Sequence, residues 1–276
     1  MPFLQTAHHR LHYVTAGNCT HPSLLLLHGF LGSHQDFLPL LPIFSQYFYC
    51  IVPDLPGHGQ TQTALDGYTF EETANSLLSL LRHFNIEQTH LLGYSMGGRL
   101  ALYLVCEFPD YFVRVVLESA SPGLKTAEER AKRREWDSAI AHRLQTMPLR
   151  TFLDQWYRNP LFASLHHHPD KYADMLQRRM QNNADELAKA LQGLGTGEMR
   201  SLWPDLGKMH ASISQPMLLV VGSLDSKFVS INREMAATLG QRCAQLTVVE
   251  NCGHNLHLEA PVTYSRRVLR FLMPDD

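Results

Sequence analysis

No apolar run in these 276 residues approaches the ~20 that a membrane-spanning helix needs, which excludes a helical integral membrane protein. An excess of charge is missing too. With 18% charged residues and a formal net charge of −2, the chain lacks the strongly basic balance of a nucleic-acid-binding surface. Cysteine is scarce: Cys19, Cys50, Cys106, Cys243 and Cys252 are odd in number and show no paired or C-x-x-C spacing, so neither a disulfide framework nor a zinc site is expected. Met1 to Arg10 include His8 and His9 and no apolar core of signal-peptide length. Internal repeats and low-complexity tracts do not stand out either. The expectation is a soluble, cytoplasmic protein with no nucleic-acid partner and no membrane insertion. Its length suits one α/β core with room for an insertion.

What is present is an alternation of short apolar runs with amphipathic ones. Leu24 to Leu27, Phe48 to Val52, Thr89 to Gly93, Val113 to Leu117, Met217 to Val221 and Leu246 to Val249 read as buried strands of a parallel sheet. Phe70, Ala74, Leu77, Leu78 and Leu81 recur at helical spacing, and further helices are expected over Gly98 to Phe108, Ile231 to Leu239 and Val262 to Leu272. That order predicts a mostly parallel, doubly wound α/β sheet. Between Ser121 and about Leu202 the strand signal stops and charged helical periodicity takes over. A helical cap over residues 122–202 is expected, dividing the core into residues 1–121 and 203–276, because open α/β sheets bind ligands at the carboxyl edge of their strands. Lys125, Arg130, Lys132 and Arg134 read as a solvated face, and His166, His167 and His168 as a polar loop.

The chemistry centres on Gly93-Tyr94-Ser95-Met96-Gly97-Gly98-Arg99. A Gly-x-Ser-x-Gly turn between strand and helix forces a strained backbone that lifts the serine hydroxyl clear of the sheet. Its partners follow in the chain order of the α/β-hydrolase fold: Asp225 after the run ending at Val221, and His254 after the run ending at Val249. His254 would accept the proton of Ser95, and Asp225 would fix the imidazole tautomer. His257 is a rival three residues on; the glycine before His254 favours His254. The amide of Met96, with that of Phe30 in His28-Gly29-Phe30, is the expected oxyanion hole. His28 reads as a structural hydrogen-bonding residue, and Asp54 to Gly59 as a tight structural loop.

On three narrower segments the chain resembles the 2-succinyl-6-hydroxy-2,4-cyclohexadiene-1-carboxylate synthases, α/β-hydrolase-fold lyases of menaquinone and phylloquinone biosynthesis. Gly93 to Arg99 is similar to that family's G-Y-S-x-G-G-R; Pro122-Gly123-Leu124 through Arg130-Ala131 to Arg133 to its P-G-L-x-x-x-x-x-R-A-x-R; and Trp156-Tyr157 with Pro160 to Leu165 to its W-Y-x-x-P-x-F-A-S-L. The likeness runs over nearly the whole chain. It implies a small-molecule polycarboxylate substrate, no metal or organic cofactor, and substrate-binding roles for Arg99, Arg133 and Arg179, with Lys227 adding charge and Tyr94 and Trp156 as pocket walls. A guanidinium fork suits bidentate carboxylate recognition. Arg178 stands beside Arg179 and could exchange with it in register. The implied step is a proton abstraction followed by pyruvate loss. The residues alone leave open whether Ser95 is base or nucleophile, whether the protein is instead a serine hydrolase of a carboxylated substrate or a non-catalytic receptor, and which oligomer it forms.

Overall fold

A computed structural model describes residues 2–212 and 215–274, and the side chains outside 209–214. The strands are β1 (Phe3–Gln5), β2 (His9–Ala16), β3 (Ser23–Leu27), β4 (Tyr49–Pro53), β5 (Gln62–Thr63), β6 (Thr89–Tyr94), β7 (Phe112–Glu118), β8 (Met217–Gly222) and β9 (Ala244–Val249). The α-helices are α1 (Leu41–Phe44), α2 (Phe70–His83), α3 (Met96–Glu107), α4 (Ala127–Thr146), α5 (Leu149–Trp156), α6 (Pro169–Arg179), α7 (Ala184–Leu194), α8 (Trp203–Ser212), α9 (Ser226–Leu239), α10 (Leu256–Glu259) and α11 (Pro261–Leu272).

One sheet runs β1-β2-β4-β3-β6-β7-β8-β9, with β5 against β2. From β4 through β9 every pairing is parallel; β2 is antiparallel to its neighbours. The parallel strands β3, β6 and β8 are buried along their whole length, which requires apolar residues on both faces and explains their unbroken Leu and Val runs. One apolar cluster lies under α2 and α3, the other under α1 and α11, so helices cover both faces. All six strands expected from the apolar runs are present. The N-terminal strands β1 and β2 were not expected: β2 turns His9 and His12 inward, where both are buried, and inward histidines disguise the alternation.

No strand lies between β7 and β8 among the described residues; helices fill the interval and carry their own apolar cluster around Phe152, Leu153, Leu187 and Leu191. The polar loop expected at His166–His168 is a correction: Pro160–His167 form a 3-10 helix started by Asn159, whose side chain accepts the amide of Leu161, and His168 leads into α6. Helix α4 begins with a full capping box between Thr126 and Glu129, so its charged sequence holds a 20-residue helix with little apolar face.

Candidate active site

The turn after β6 carries the strain its sequence predicts. Ser95 sits at φ 50° and ψ −105°, an arrangement costly for a residue with a Cβ and found where function fixes it. The turn is secured by the Ser95 amide donating to Glu118 O of β7 at 2.9 Å. Gly97 lets α3 start against β3: a Cβ there would overlap the carbonyl oxygen of Leu27.

Loops at the ends of β8 and β9 deliver the partners. His254 Nε2 lies 3.0 Å from Ser95 Oγ, and its Nδ1 donates to Asp225 Oδ2 at 2.6 Å. Both His254 and Asp225 are buried. Asp225 also caps α9, its Oδ1 accepting the Phe228 amide at 3.3 Å, so one carboxylate fixes both the helix and the imidazole. His257 is turned away: its ring and its own amide both donate to the buried Glu118 carboxylate, at 2.9 and 3.1 Å. The loop bearing His254 is held by Glu259, which accepts from the Gly253 amide at 2.8 Å and from Ser164 Oγ, on the 3-10 segment, at 3.0 Å. Sequence reading did not find Glu259; a lone acid in an apolar turn five residues past the histidine was its only mark.

Phe30 and Met96 line the same cavity as Ser95. Met96 is the first residue of α3, where helical amides have no partner within the helix and the dipole is positive. Neither amide has a backbone acceptor among the described residues. His28 is structural as expected: Nδ1 donates to Gly29 O at 2.8 Å, Nε2 accepts the Leu55 amide at 2.9 Å, and burial lowers its pKa, keeping it neutral.

A cavity of about 580 Å³ opens over Ser95, and Arg99, Arg133, Arg179, Lys227, Tyr94 and Trp156 all reach its wall. Arg99 donates to Leu194 O at 3.0 Å; burial and then the charge of Arg133 pull its guanidinium down to about 9, so it stays charged at neutral pH. Arg133 Nε donates to Asp137 Oδ1 at 2.8 Å, while Oδ2 of that buried carboxylate has no partner among the described residues. Lys227 is exposed at the rim. Two arginines and a lysine thus line the cavity, and the carboxylates nearby are committed, Asp137 to Arg133 and Asp225 to His254. Tyr94 packs between the rings of His254 and His257, at 5.6 and 4.7 Å, and Trp156 stacks on Phe152 and meets Phe30 edge-on.

Arg179 differs from the free fork that the resemblance implies. Helix α6 turns Arg179 inward to the cavity and leaves Arg178 half-buried off it. Yet both forked nitrogens of Arg179 are taken by Asp36, at 2.6 and 2.8 Å. Arg130 does not line the cavity; it donates to Leu124 O at 3.4 Å.

The other cluster of histidines and acids is structural. His12, His34 and Asp54 bring ligand-type atoms within 4.8 Å of one another, all buried. The Asp54 carboxylate is already filled by His12 Nδ1, His34 Nδ1 and the amides of His34 and Gln60, at 2.7–2.9 Å. Burial opposes its ionisation, but the bonds from His12 and His34 outweigh that and hold it well below the usual carboxylate range. A depressed carboxyl contributes stability that is present above its unfolded pKa near ~3.9 and is lost as pH falls toward the folded value. Asp54→Asn is therefore expected to cost ~3 kcal/mol at neutral pH and to flatten the acid limb below pH ~4, read by urea unfolding across pH.

A strained serine at the first turn of a helix, met by an aspartate and a histidine from the ends of later parallel strands, defines an α/β-hydrolase-fold protein, and the family described as alpha/beta hydrolase fold matches residues 22–261. A 2-succinyl-6-hydroxy-2,4-cyclohexadiene-1-carboxylate synthase of Escherichia coli O1:K1 / APEC is 35% identical over 254 residues, covering 91% of this chain and 94% of that one. The structure of MenH from S. aureus superposes with a TM-score of 0.87 at 31% identity, covering 97% of this chain and 98% of the other. Protein PHYLLO, chloroplastic, of Arabidopsis thaliana matches 90% of this chain at 30% identity over 15% of its own length. The chain belongs to the 2-succinyl-6-hydroxy-2,4-cyclohexadiene-1-carboxylate synthase family.

Proposed function

We propose that the protein is a carbon–oxygen lyase. It eliminates pyruvate from 2-succinyl-5-enolpyruvyl-6-hydroxy-3-cyclohexene-1-carboxylate to give 2-succinyl-6-hydroxy-2,4-cyclohexadiene-1-carboxylate, in menaquinone or phylloquinone biosynthesis. Beyond the family, the observation that carries this reading is the surplus of cations beside the triad: Arg99, Arg133 and Lys227 line a cavity whose one lining carboxylate, Asp225, is taken by His254, and of the three only Arg133 has an ion-pair partner, Asp137, among the described residues, an arrangement that a neutral ester does not need.

His254 draws the proton from Ser95 Oγ, Asp225 steadies the imidazolium, and Ser95 removes the proton next to the succinyl ketone. The amides of Phe30 and Met96 hold the enolate oxygen, each such donor contributing about 3 kcal/mol. Electrons then move through the ring alkene, break the bond to the enolpyruvyl oxygen and release pyruvate. The elimination is redox-neutral and draws on no cofactor. Arg99 and Arg133 hold substrate carboxylates, Lys227 steers them at the rim, Tyr94 and Trp156 wall the ring, and the helices of residues 122–202 serve as the cap over it.

The test compares kcat/KM for pyruvate release with that for a panel of neutral aryl esters. The expected ratio is at least ~10³ in favour of the enolpyruvyl substrate, since a neutral ligand leaves Arg99 and Arg133 without the carboxylates they would otherwise hold. Esters turned over faster would make the protein a serine hydrolase, and binding without turnover a receptor.

A further inference from the structure

We infer that Arg179 is a positioning residue: with Asp36 and Asn182 it clamps the loop that carries the Phe30 amide, and it does not read a substrate carboxylate. The inference rests on Phe30 being an oxyanion donor, as in the mechanism proposed above.

The Arg179 and Asp36 side chains are 3% and 2% exposed, and the fork meets the carboxylate with both nitrogens while Nε donates to Tyr157 Oη at 3.3 Å. A bidentate pair of this kind is saturated: the geometry that would grip a substrate carboxylate is already used. Burial disfavours the Arg179 charge, but Asp36 more than restores it, and the pair is neutral as a unit. Parting it to serve a ligand would strand the Asp36 carboxylate in the interior.

What the pair touches is the oxyanion loop. The Asp36 carboxylate lies against Gly32, where an added methyl would meet Oδ2 at 2.5 Å. Three residues past Arg179, Asn182 Nδ2 donates to Leu31 O at 2.8 Å, and its Oδ1 accepts the Gly59 amide at 2.8 Å. Leu31 is held at φ 67°, a left-handed backbone that a leucine adopts only when its surroundings impose it. The turn closes through the Gly32 amide to Gly29 O at 3.0 Å. Residues 31 and 32, directly after Phe30, are therefore gripped from the end of α6 and the turn that follows it.

The experiment uses Arg179→Gln, Asp36→Asn and the apolar pair Arg179→Met with Asp36→Leu, which orphans no buried charge. Each is assayed for kcat and KM on the enolpyruvyl substrate and for kcat/KM on p-nitrophenyl acetate, which has no carboxylate to read. A displaced oxyanion donor costs about 10²- to 10³-fold in kcat. Both single variants are expected to lose about 10- to 10³-fold in kcat with KM within threefold, to lose the ester activity by the same factor, and the apolar pair to regain at least tenfold. Three results together would overturn the clamp: a KM raised tenfold or more by Arg179→Gln, an unchanged ester rate, and Asp36→Asn close to wild type. If the single variants do not fold, the apolar pair decides: a normal KM supports the clamp, and a KM raised tenfold restores Arg179 as a carboxylate reader. A wild-type protein that cleaves the ester but leaves the enolpyruvyl substrate untouched refutes the function and still lets the ester rates judge the clamp.

Discussion

Ser95→Ala is expected to lower kcat for pyruvate release by about 10³- to 10⁶-fold while the fold survives, because the Ser95 hydroxyl, 3.0 Å from His254 Nε2, is the group that takes the substrate proton in the proposed mechanism. His254→Ala should fall in the same range and Asp225→Asn by about 10²- to 10⁴-fold, since losing the Asp225 acceptor frees the imidazole to adopt the wrong tautomer. The losses should not add. One proton-transfer unit is lost once, so Ser95→Ala combined with His254→Ala should match the worse single variant. A double variant a hundredfold worse than either would mean that the two residues act separately. His257→Gln keeps a donor for Glu118 and should stay within about tenfold of wild type, which separates the two histidines in one set of assays.

The second large effect belongs to the cavity cations. Arg133→Ala and Arg99→Ala are each expected to weaken transition-state binding by roughly 2–5 kcal/mol, expressed mainly as a raised KM, because a desolvated substrate carboxylate loses its partner. Asp137 sharpens the expectation: with Arg133 gone, its buried carboxylate loses the side-chain partner it has among the described residues. Arg130→Ala is the control, three residues before Arg133 on the same helix but off the cavity, and kcat/KM should change less than threefold. Arg133→Ala without effect beside a crippled Arg130→Ala would contradict this placement of the arginines, and indifference to all three would contradict a polyanionic substrate.

That Ser95, Asp225 and His254 would meet was legible because each follows the end of a strand, and those strands announce themselves: runs such as Leu24–Leu27 and Met217–Val221 must be apolar on both faces. The helices between β7 and β8 were legible as a break in that rhythm. Strand β2 was not, since His9 and His12 fill its inward positions through partners that sequence does not display: Ser76 and Gly67 for one, Asp54 for the other. The supporting groups escaped for a related reason. Asp36 meets Arg179 across 143 residues, and Ser164 meets Glu259 across 95, and no local pattern marks either end. Resemblance brought Arg179 to the cavity correctly, but what its fork holds is a matter of packing that only the assembled loop, helix and carboxylate reveal.

The most direct measurement is a single-turnover quench with enzyme in excess over the enolpyruvyl substrate deuterated at the carbon next to the succinyl ketone, following pyruvate and the intact mass of the protein together. One pyruvate per substrate, formed more slowly from the deuterated compound and with no added mass on the chain, is the expected result. Accumulation of a covalent adduct at Ser95, or consumption of substrate without pyruvate, would contradict an elimination in which the serine serves as base.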